Sequence, residues 1–188
     1  MNSEKKDSIG SLLGAEVIII NPLEIISANG EISLRQYTPR DAGEIFALID
    51  RNREHLSKYG EDTSLRYPTL ESVRESIRYP DDAAKLRFGI VNGADVLVGE
   101  INLTSDANNS QKGQIGYYLG AESQEHGYMF TAVKTLTDYA FQNLRYKNLF
   151  GSVHPDNKPS RDVLERNGYL ETAINRNRRV ILTKGRMS

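Results

Sequence analysis

Twice between Leu86 and His154 the apolar side chains change period, from two to about 3.6 and back again. This confines the chain to a mixed sheet with helices on its faces. Residues 86–91 and 96–103 are strand-like runs joined by Asn92-Gly93-Ala94-Asp95, a hairpin turn, and 114–119 is a third such run after a polar loop at 106–113. These three runs are expected to form an antiparallel meander. Residues 127–144 are the most periodic part of the chain: Met129, Ala132, Val133, Leu136, Ala140 and Leu144 make one apolar stripe opposite Lys134, Asp138 and Gln142. Residues 148–154 then return to strand spacing.

The flanks extend this pattern. Ile32, Leu34 and Gln36 alternate with polar neighbours. Thr38, Pro39 and Asp41 open a helix to about Asn52, with Ala42, Ile45, Phe46 and Ile49 on one face. Thr69 caps a second helix through Leu70, Val73 and Ile77. Downstream, Asp156-Asn157-Lys158-Pro159-Ser160 starts a short helix through Val163 and Leu164 that Gly168 ends, and 169–174 and 179–183 are two further strands joined by Asn175-Arg176-Asn177-Arg178. The expectation is an α+β (mixed α/β) fold with a mixed, mostly antiparallel sheet of about six to seven strands flanked by helices. Residues 32–188 read as one domain. Residues 1–31 read as an extension or hairpin arm, with a buried strand at Val17-Ile18-Ile19-Ile20 and a tight turn at Asn29-Gly30.

A chain of 188 residues buries roughly 70% of its unfolded surface, so it needs no covalent staple. It contains no cysteine, which excludes disulfide scaffolds, zinc ribbons, iron–sulfur sites and thiol nucleophiles. His55, His126 and His154 lie far apart, without the close spacing of local metal motifs, so no metal centre is expected. The net charge of −1 argues against a general nucleic-acid or membrane-surface binder. No apolar run approaches the roughly 20 residues of a membrane span, and the first residues lack the apolar core of a signal peptide, so a cytoplasmic protein is expected. The charge is uneven: residues 145–188 carry ten basic side chains against Asp156, Asp162, Glu165 and Glu171, so that end can face an anionic ligand or simply be a solvated surface.

The most informative segment is Gly120-Ala-Glu-Ser-Gln-Glu-His-Gly-Tyr-Met129. A strand that feeds a glycine-containing loop and then a long helix presents unpaired N–H groups at the positive helix end, where a phosphate can sit. Neither a Walker loop nor a dinucleotide fingerprint is present, and an ordinary helix cap would look the same.

Taken with Ile115-Gly-Tyr-Tyr-Leu119 before it and Asp156-Asn-Lys-Pro-Ser-Arg-Asp-Val-Leu-Glu-Arg-Asn-Gly-Tyr169 after it, this segment resembles the GNAT superfamily of acyl-CoA-dependent N-acetyltransferases. Within that superfamily it resembles the RimJ/RimL branch of ribosomal-protein N-terminal acetyltransferases. The resemblance covers about 32–183. It implies acetyl-CoA as the acyl donor, with the coenzyme pyrophosphate on the loop pattern Q/R-x-x-G-x-G/A. Gln124 and Gly127 match that pattern, and Met129 stands where Gly or Ala is usual. Glu125, His126 and Tyr128 fall inside the same loop. The pantetheine arm is then expected along Tyr117, Tyr118 and Leu119, each tyrosine being a pocket wall or ordinary packing. By the same resemblance Asn157 contacts the coenzyme or substrate and Ser160 protonates the departing thiolate, although both also suit the first turn of a capped helix. Arg161 and Lys158 pair with phosphates or with solvent.

The implied reaction is direct attack of a neutral amine on the thioester. An α-amino group, with a reference pKa of about 8, needs no strong base for this. Relatives place a carboxylate where this chain has Ala107, which leaves Asp106 and Glu100 as candidate bases. His55, Asn52, Arg53 and Tyr59 fall in the family's acceptor region, and His154 sits at a strand end beside the acetyl site. The acceptor is read as a protein α-amino terminus. A small amine such as a polyamine or aminoglycoside is the alternative, and a non-catalytic acyl-CoA-binding module is a second one. The extension can cover the acceptor cleft or the surface of a homodimer.

Overall fold

A computed structural model describes residues 22–60, 62–80 and 85–186. The Val17–Ile20 strand expected from the sequence lies outside them. Among the described residues eight strands form one sheet: β1 (Glu24–Ile26), β2 (Ile32–Gln36), β3 (Lys85–Asn92), β4 (Leu97–Asp106), β5 (Asn109–Leu119), β6 (Asn148–Val153), β7 (Leu170–Ile174) and β8 (Val180–Gly185), in the order β1-β2-β3-β4-β5-β6-β8-β7. The helices are α1 (Ala42–Arg51), α2 (Arg53–Ser57), α3 (Thr63–Arg66), α4 (Leu70–Arg78), α5 (Tyr128–Asn143) and α6 (Lys158–Arg166). The mixed architecture is as expected, with one strand more than seven. The addition is β1, three residues long, which pairs antiparallel with β2 through a turn where Gly30 has φ 71°. Three residues are too few to leave a period in the sequence.

The expected stripe of α5 lies against the sheet. Ala132, Val133, Leu136 and Ala140 are fully buried with Phe88, Ile90, Ile101, Leu103 and Ile115, the Val, Leu, Ile and Phe side chains each contributing about 1.5–3 kcal/mol of transfer free energy. A second cluster unites Ile45, Leu48 and Ile49 of α1, Val73 and Ile77 of α4, and Tyr37, Val91 and Leu97. The helix starts follow their caps. The Thr38 N–H donates to Asp41 Oδ2 at 2.7 Å, and the Ser72 N–H donates to Thr69 Oγ1 at 3.1 Å.

Two local expectations are corrected. β4 and β5 continue to Asp106 and from Asn109, so the supposed loop at 106–113 is a tight turn followed by a solvated strand. Its polar composition reflects exposure on the ribbon rather than irregular backbone. The stretch between the first two expected helices also contains α2 and α3, each about one turn long and too short to show a stripe.

Every strand pairing is antiparallel except β5 with β6, which run parallel and pair only at Lys112↔Asn148, Gly113↔Leu149 and Gln114↔Phe150. Beyond Gln114 and Phe150 the two strands part. From Ile115 to Leu119 the β6-facing edge of β5 has no strand partner among the described residues, and the gap opens beneath α6 and the loop that leads into α5.

Candidate active site

The loop from β5 to α5 is held at its first half and open at its second. The Gly120 N–H donates to the Val98 carbonyl at 2.9 Å, and the Ala121 N–H donates to Asn52 Oδ1 at 2.9 Å. Glu122 accepts from Arg51 Nε at 2.6 Å and Asn52 Nδ2 at 3.2 Å. Burial works against the Glu122 charge, but hydrogen bonds from its own backbone, Arg51 and Asn52 outweigh it and hold its carboxyl below the usual range.

In the second half Glu125 (φ 65°) and Gly127 (φ 78°) are both left-handed, and Gly127 is the N-cap of α5. A Cβ on Gly127 would meet nothing within 4 Å. The first-turn N–H groups of α5 therefore face open space at the positive helix end, with no acidic residue in that turn. Gln124 reaches across to α2, with Nε2 3.1 Å from His55 Nε2, and His126 Nδ1 lies 2.7 Å from the Gln124 carbonyl. Glu125, His126 and Tyr128 also border a shallow hollow beside Glu31 and Asn92.

Two cavities meet where β5 and β6 part. The first, about 390 Å³, runs from the loop past Gln124, Glu125 and Met129 between α2 (His55, Leu56) and α6, along Tyr117, Tyr118 and Leu119. The second, about 370 Å³, lies between β5, β6 and the β7–β8 turn, and Gln114, Ser152, Asn175, Asn177 and Arg179 line it. Both volumes suit a small ligand or an extended arm. Tyr117, Asn157 and Ser160 belong to both walls. The Tyr117 hydroxyl donates to the Ser160 carbonyl at 2.9 Å, tying β5 to α6 across the gap. The Ser160 N–H donates to Asn157 Oδ1 at 3.2 Å, so Asn157 caps α6 as expected. Burial raises the Tyr117 hydroxyl well above the ordinary phenol range, more than the bond to Ser160 lowers it.

Met129, which stands where Gly or Ala is usual in that loop pattern, is 8% exposed; it packs in the core and forms part of the cavity wall. Glu100 lines neither cavity. It is 3% exposed, bonded to Arg87 at 2.9 and 3.3 Å, with the hydroxyl of the cavity-lining Tyr118 3.4 Å away. Burial opposes the Arg87 charge, but the facing Glu100 carboxylate outweighs it, so Arg87 holds its proton more firmly than an ordinary arginine. Burial, and then Glu100, push the Tyr118 hydroxyl up. Asp106 is placed elsewhere: it accepts from the Asn108 N–H at 2.9 Å in the β4–β5 turn, five residues or about 16 Å along β4 from Ile101, the partner of Tyr117. Arg161 lines neither cavity; its guanidinium pairs with Glu171 at 3.0 Å and Glu165 at 3.5 Å. The His154 ring lies tilted by 31° against Tyr59, with centroids 6.1 Å apart, and lines neither cavity. No group of three or more His, Asp or Glu side chains suited to a metal occurs among the described residues.

Sequence reasoning missed the anchoring role of Asn52; the family resemblance gave the hairpin between the last two strands a part in the acceptor cleft without singling out Asn175, Asn177 or Arg179. Each is a long-range relationship that no local pattern announces.

The acetyltransferase (GNAT) domain family matches residues 31–170. The chain belongs to that family. It is a GNAT-type acetyltransferase, and its relatives agree. "Probable N-acetyltransferase YjcK" of Bacillus subtilis is 29% identical over 171 residues, covering 88% of this chain and 87% of its own length. Two solved structures share the fold. Mycobacterium smegmatis RimJ in complex with CoA-disulfide has TM-score 0.69 at 20% identity, covering 87% of this chain and 86% of its own. RimL, a ribosomal L7/L12 alpha-N-protein acetyltransferase in complex with coenzyme A, has TM-score 0.77 at 16% identity, covering 86% of this chain and 98% of its own. Among the described residues no helix of this GNAT protein is long and apolar enough to cross a membrane.

Proposed function

We propose that this GNAT protein moves an acetyl group from acetyl-CoA to the α-amino terminus of a protein. The observation that carries the reading is the pair of cavities sharing Tyr117, Asn157 and Ser160, one of which starts at the Gln124–Gly127 loop. That loop fits a pyrophosphate: it joins left-handed backbone, open space at Gly127 and unpaired N–H groups at a helix N-terminus. The unpaired edge of β5 from Ile115 to Leu119 fits an amide-containing arm laid alongside it. The donor assignment also follows the relatives crystallised with coenzyme A.

Bound acetyl-CoA supplies a thioester whose carbonyl carbon takes the amine nitrogen as the C–S bond breaks. The chain's own residues do the rest. Tyr117 stays protonated through the neutral range and fixes Ser160 by its backbone carbonyl. Asn157 holds the first turn of α6, and Ser160, on the wall shared by the two cavities, delivers a proton to the leaving sulfur and recovers one through water from the nitrogen, which is cationic once its bond to the carbonyl carbon has formed. Neither Asp106 nor Glu100 serves as base: one is remote, and the other is consumed by Arg87. A terminal amine with a pKa near 8 loses its proton to solvent.

A polyamine acceptor requires an acidic pocket, and among the described residues no Asp or Glu lines the second cavity. That favours a protein terminus, in keeping with the alpha-N-protein activity in the name of RimL. We take 32–188 as the catalytic domain and 1–31 as its appendage, in a cytoplasmic enzyme. The test is the melting temperature with and without acetyl-CoA, followed by thiol release with N-terminal peptides and with spermidine. Stabilisation plus peptide-dependent thiol release is expected. Stabilisation without release from any amine would make the chain a binding module, and no stabilisation at millimolar acetyl-CoA would remove the donor site.

A further inference from the structure

The second cavity differs from the first in the chemistry of its wall. Four carboxamides line it, from Gln114, Asn157, Asn175 and Asn177, and among the described residues its one formal charge is the Arg179 guanidinium. Carboxamides both donate and accept, which suits the backbone of a peptide. Arg179 is aimed by β6: Nη2 donates to the Ser152 carbonyl at 2.8 Å and Nε to Ser152 Oγ at 3.2 Å.

The turn that carries this wall is built to hold its shape. Asn175 Oδ1 accepts from the Asn177 and Arg179 N–H groups at 3.0 and 2.9 Å, and the Asn175 N–H donates to the Arg179 carbonyl at 2.9 Å. Arg178 occupies the left-handed region, and its N–H donates to the Asn175 carbonyl at 2.9 Å. Arg176 and Arg178, between the lining residues, are exposed at the rim. The nearby carboxylates of Glu165 and Glu171 are paired with Arg161. Three arginines thus stand within four residues at the mouth of a cavity that, among the described residues, is lined by no carboxylate. Such a field attracts anions and repels polycations before contact.

We propose that the 175–179 turn selects acceptors by charge, favouring polypeptide N-termini that carry Asp or Glu within the first few residues after the reacting amine. This rests on the reading of the chain as a protein N-terminal acetyltransferase whose acceptor enters by the second cavity. Arg179 meets the backbone or the first acidic side chain inside, and Arg176 and Arg178 meet later ones at the rim. The amine itself must stay neutral to react, so the attraction falls on the following residues and not on the reacting atom.

The experiment uses the full chain, saturating acetyl-CoA and three peptides identical at the first residue, with acidic, neutral or basic residues at positions two to four. Thiol release gives kcat/KM for each. The acidic peptide is expected to exceed the basic one by about tenfold at low salt, through KM, with the ratio shrinking as potassium chloride is raised. In the double variant Arg176→Glu/Arg178→Glu the order of acidic and basic peptides reverses. The rise in melting temperature with acetyl-CoA, read on the same variant, verifies that it is folded and binds donor. Equal rates on all three peptides, or an unchanged ratio in the folded variant, overturn the charge selection and leave N-terminal acetylation intact. Failure of every peptide to release thiol, with acetyl-CoA still bound, overturns both.

Discussion

Asn52 Oδ1 accepts the Ala121 N–H at 2.9 Å across 69 residues of sequence, so the end of α1 sets the position of the loop that leads into α5. The same side chain donates to the Leu48 carbonyl at 3.0 Å and to Glu122 at 3.2 Å, and it is 4% exposed. Asn52→Ala would leave buried polar groups unpaired at about 1–3 kcal/mol, which lowers Tm by several degrees in a chain of this size. The loop would also lose its anchor, so the Kd for acetyl-CoA should rise at least about tenfold. Calorimetric titration and thermal melting read the two effects, and an unchanged Kd would limit Asn52 to a role in stability.

Gly127 separates ligand approach from folding. Its φ of 78° is strained for any side chain, by about 1–2 kcal/mol, yet a Cβ there meets no protein atom. Gly127→Ala should therefore cost only modest stability while weakening acetyl-CoA binding by about tenfold or more, because the methyl fills the space in front of the α5 N–H groups. An unchanged Kd for acetyl-CoA in the folded Gly127→Ala variant would mean that nothing approaches the loop closely.

Much of this architecture is local and was legible. The α5 stripe, the 92–95 turn and the Asn157 cap each rest on contacts within a few residues, so spacing alone exposes them. What was not legible rests on pairs distant in sequence. Glu100 as a candidate base and Glu100 as the partner of Arg87 look identical until β3 and β4 are aligned, and Asp106 looks adjacent to the site until β4 is extended by three residues beyond Leu103. Arg179 reads as a surface charge until β8 is placed beside β6. The short α2 and α3 escaped because a single turn has no periodicity to detect.

The Arg87–Glu100 pair is buried on both sides, with side-chain exposures of 11% and 4%. Breaking such a pair by removing one charge costs about 3–5 kcal/mol, chiefly through the charge left behind. Glu100→Gln should lose that much in denaturant unfolding, and Arg87→Met/Glu100→Met should recover part of it. The kcat of folded Glu100→Gln is expected to fall far less than its stability. A loss beyond about 100-fold at normal stability would restore Glu100 as the base.

Ser160 and Tyr117 should separate in kinetics. Ser160→Ala removes the proton donor and is expected to lower kcat by about 10–100-fold, with the KM for acetyl-CoA within about threefold of wild type. Tyr117→Phe keeps the Ser160 hydroxyl but loses the bond to its carbonyl, worth about 1 kcal/mol, and should shift both parameters slightly. A wild-type kcat in Ser160→Ala would remove that residue from the chemistry.

Buried tyrosines set the alkaline limit of the fold. Burial is the largest cause that raises Tyr37, Tyr117, Tyr118 and Tyr169 above the ordinary phenol range. Below about pH 10 these groups are protonated in the folded and unfolded states alike, and their contribution to stability is complete. Above it the unfolded chain releases protons that the folded chain keeps, so the unfolded state binds fewer and stability falls as pH rises, by up to about 1.4 kcal/mol per pH unit for each group. Denaturant midpoints should stay level in this respect from pH 7 to 9 and drop steeply from about pH 10. Tyrosinate absorbance from the buried set should appear only with unfolding. A folded protein in which all ten tyrosines ionise together near pH 10 would contradict their enclosure, and with it the protonated Tyr117 that positions Ser160.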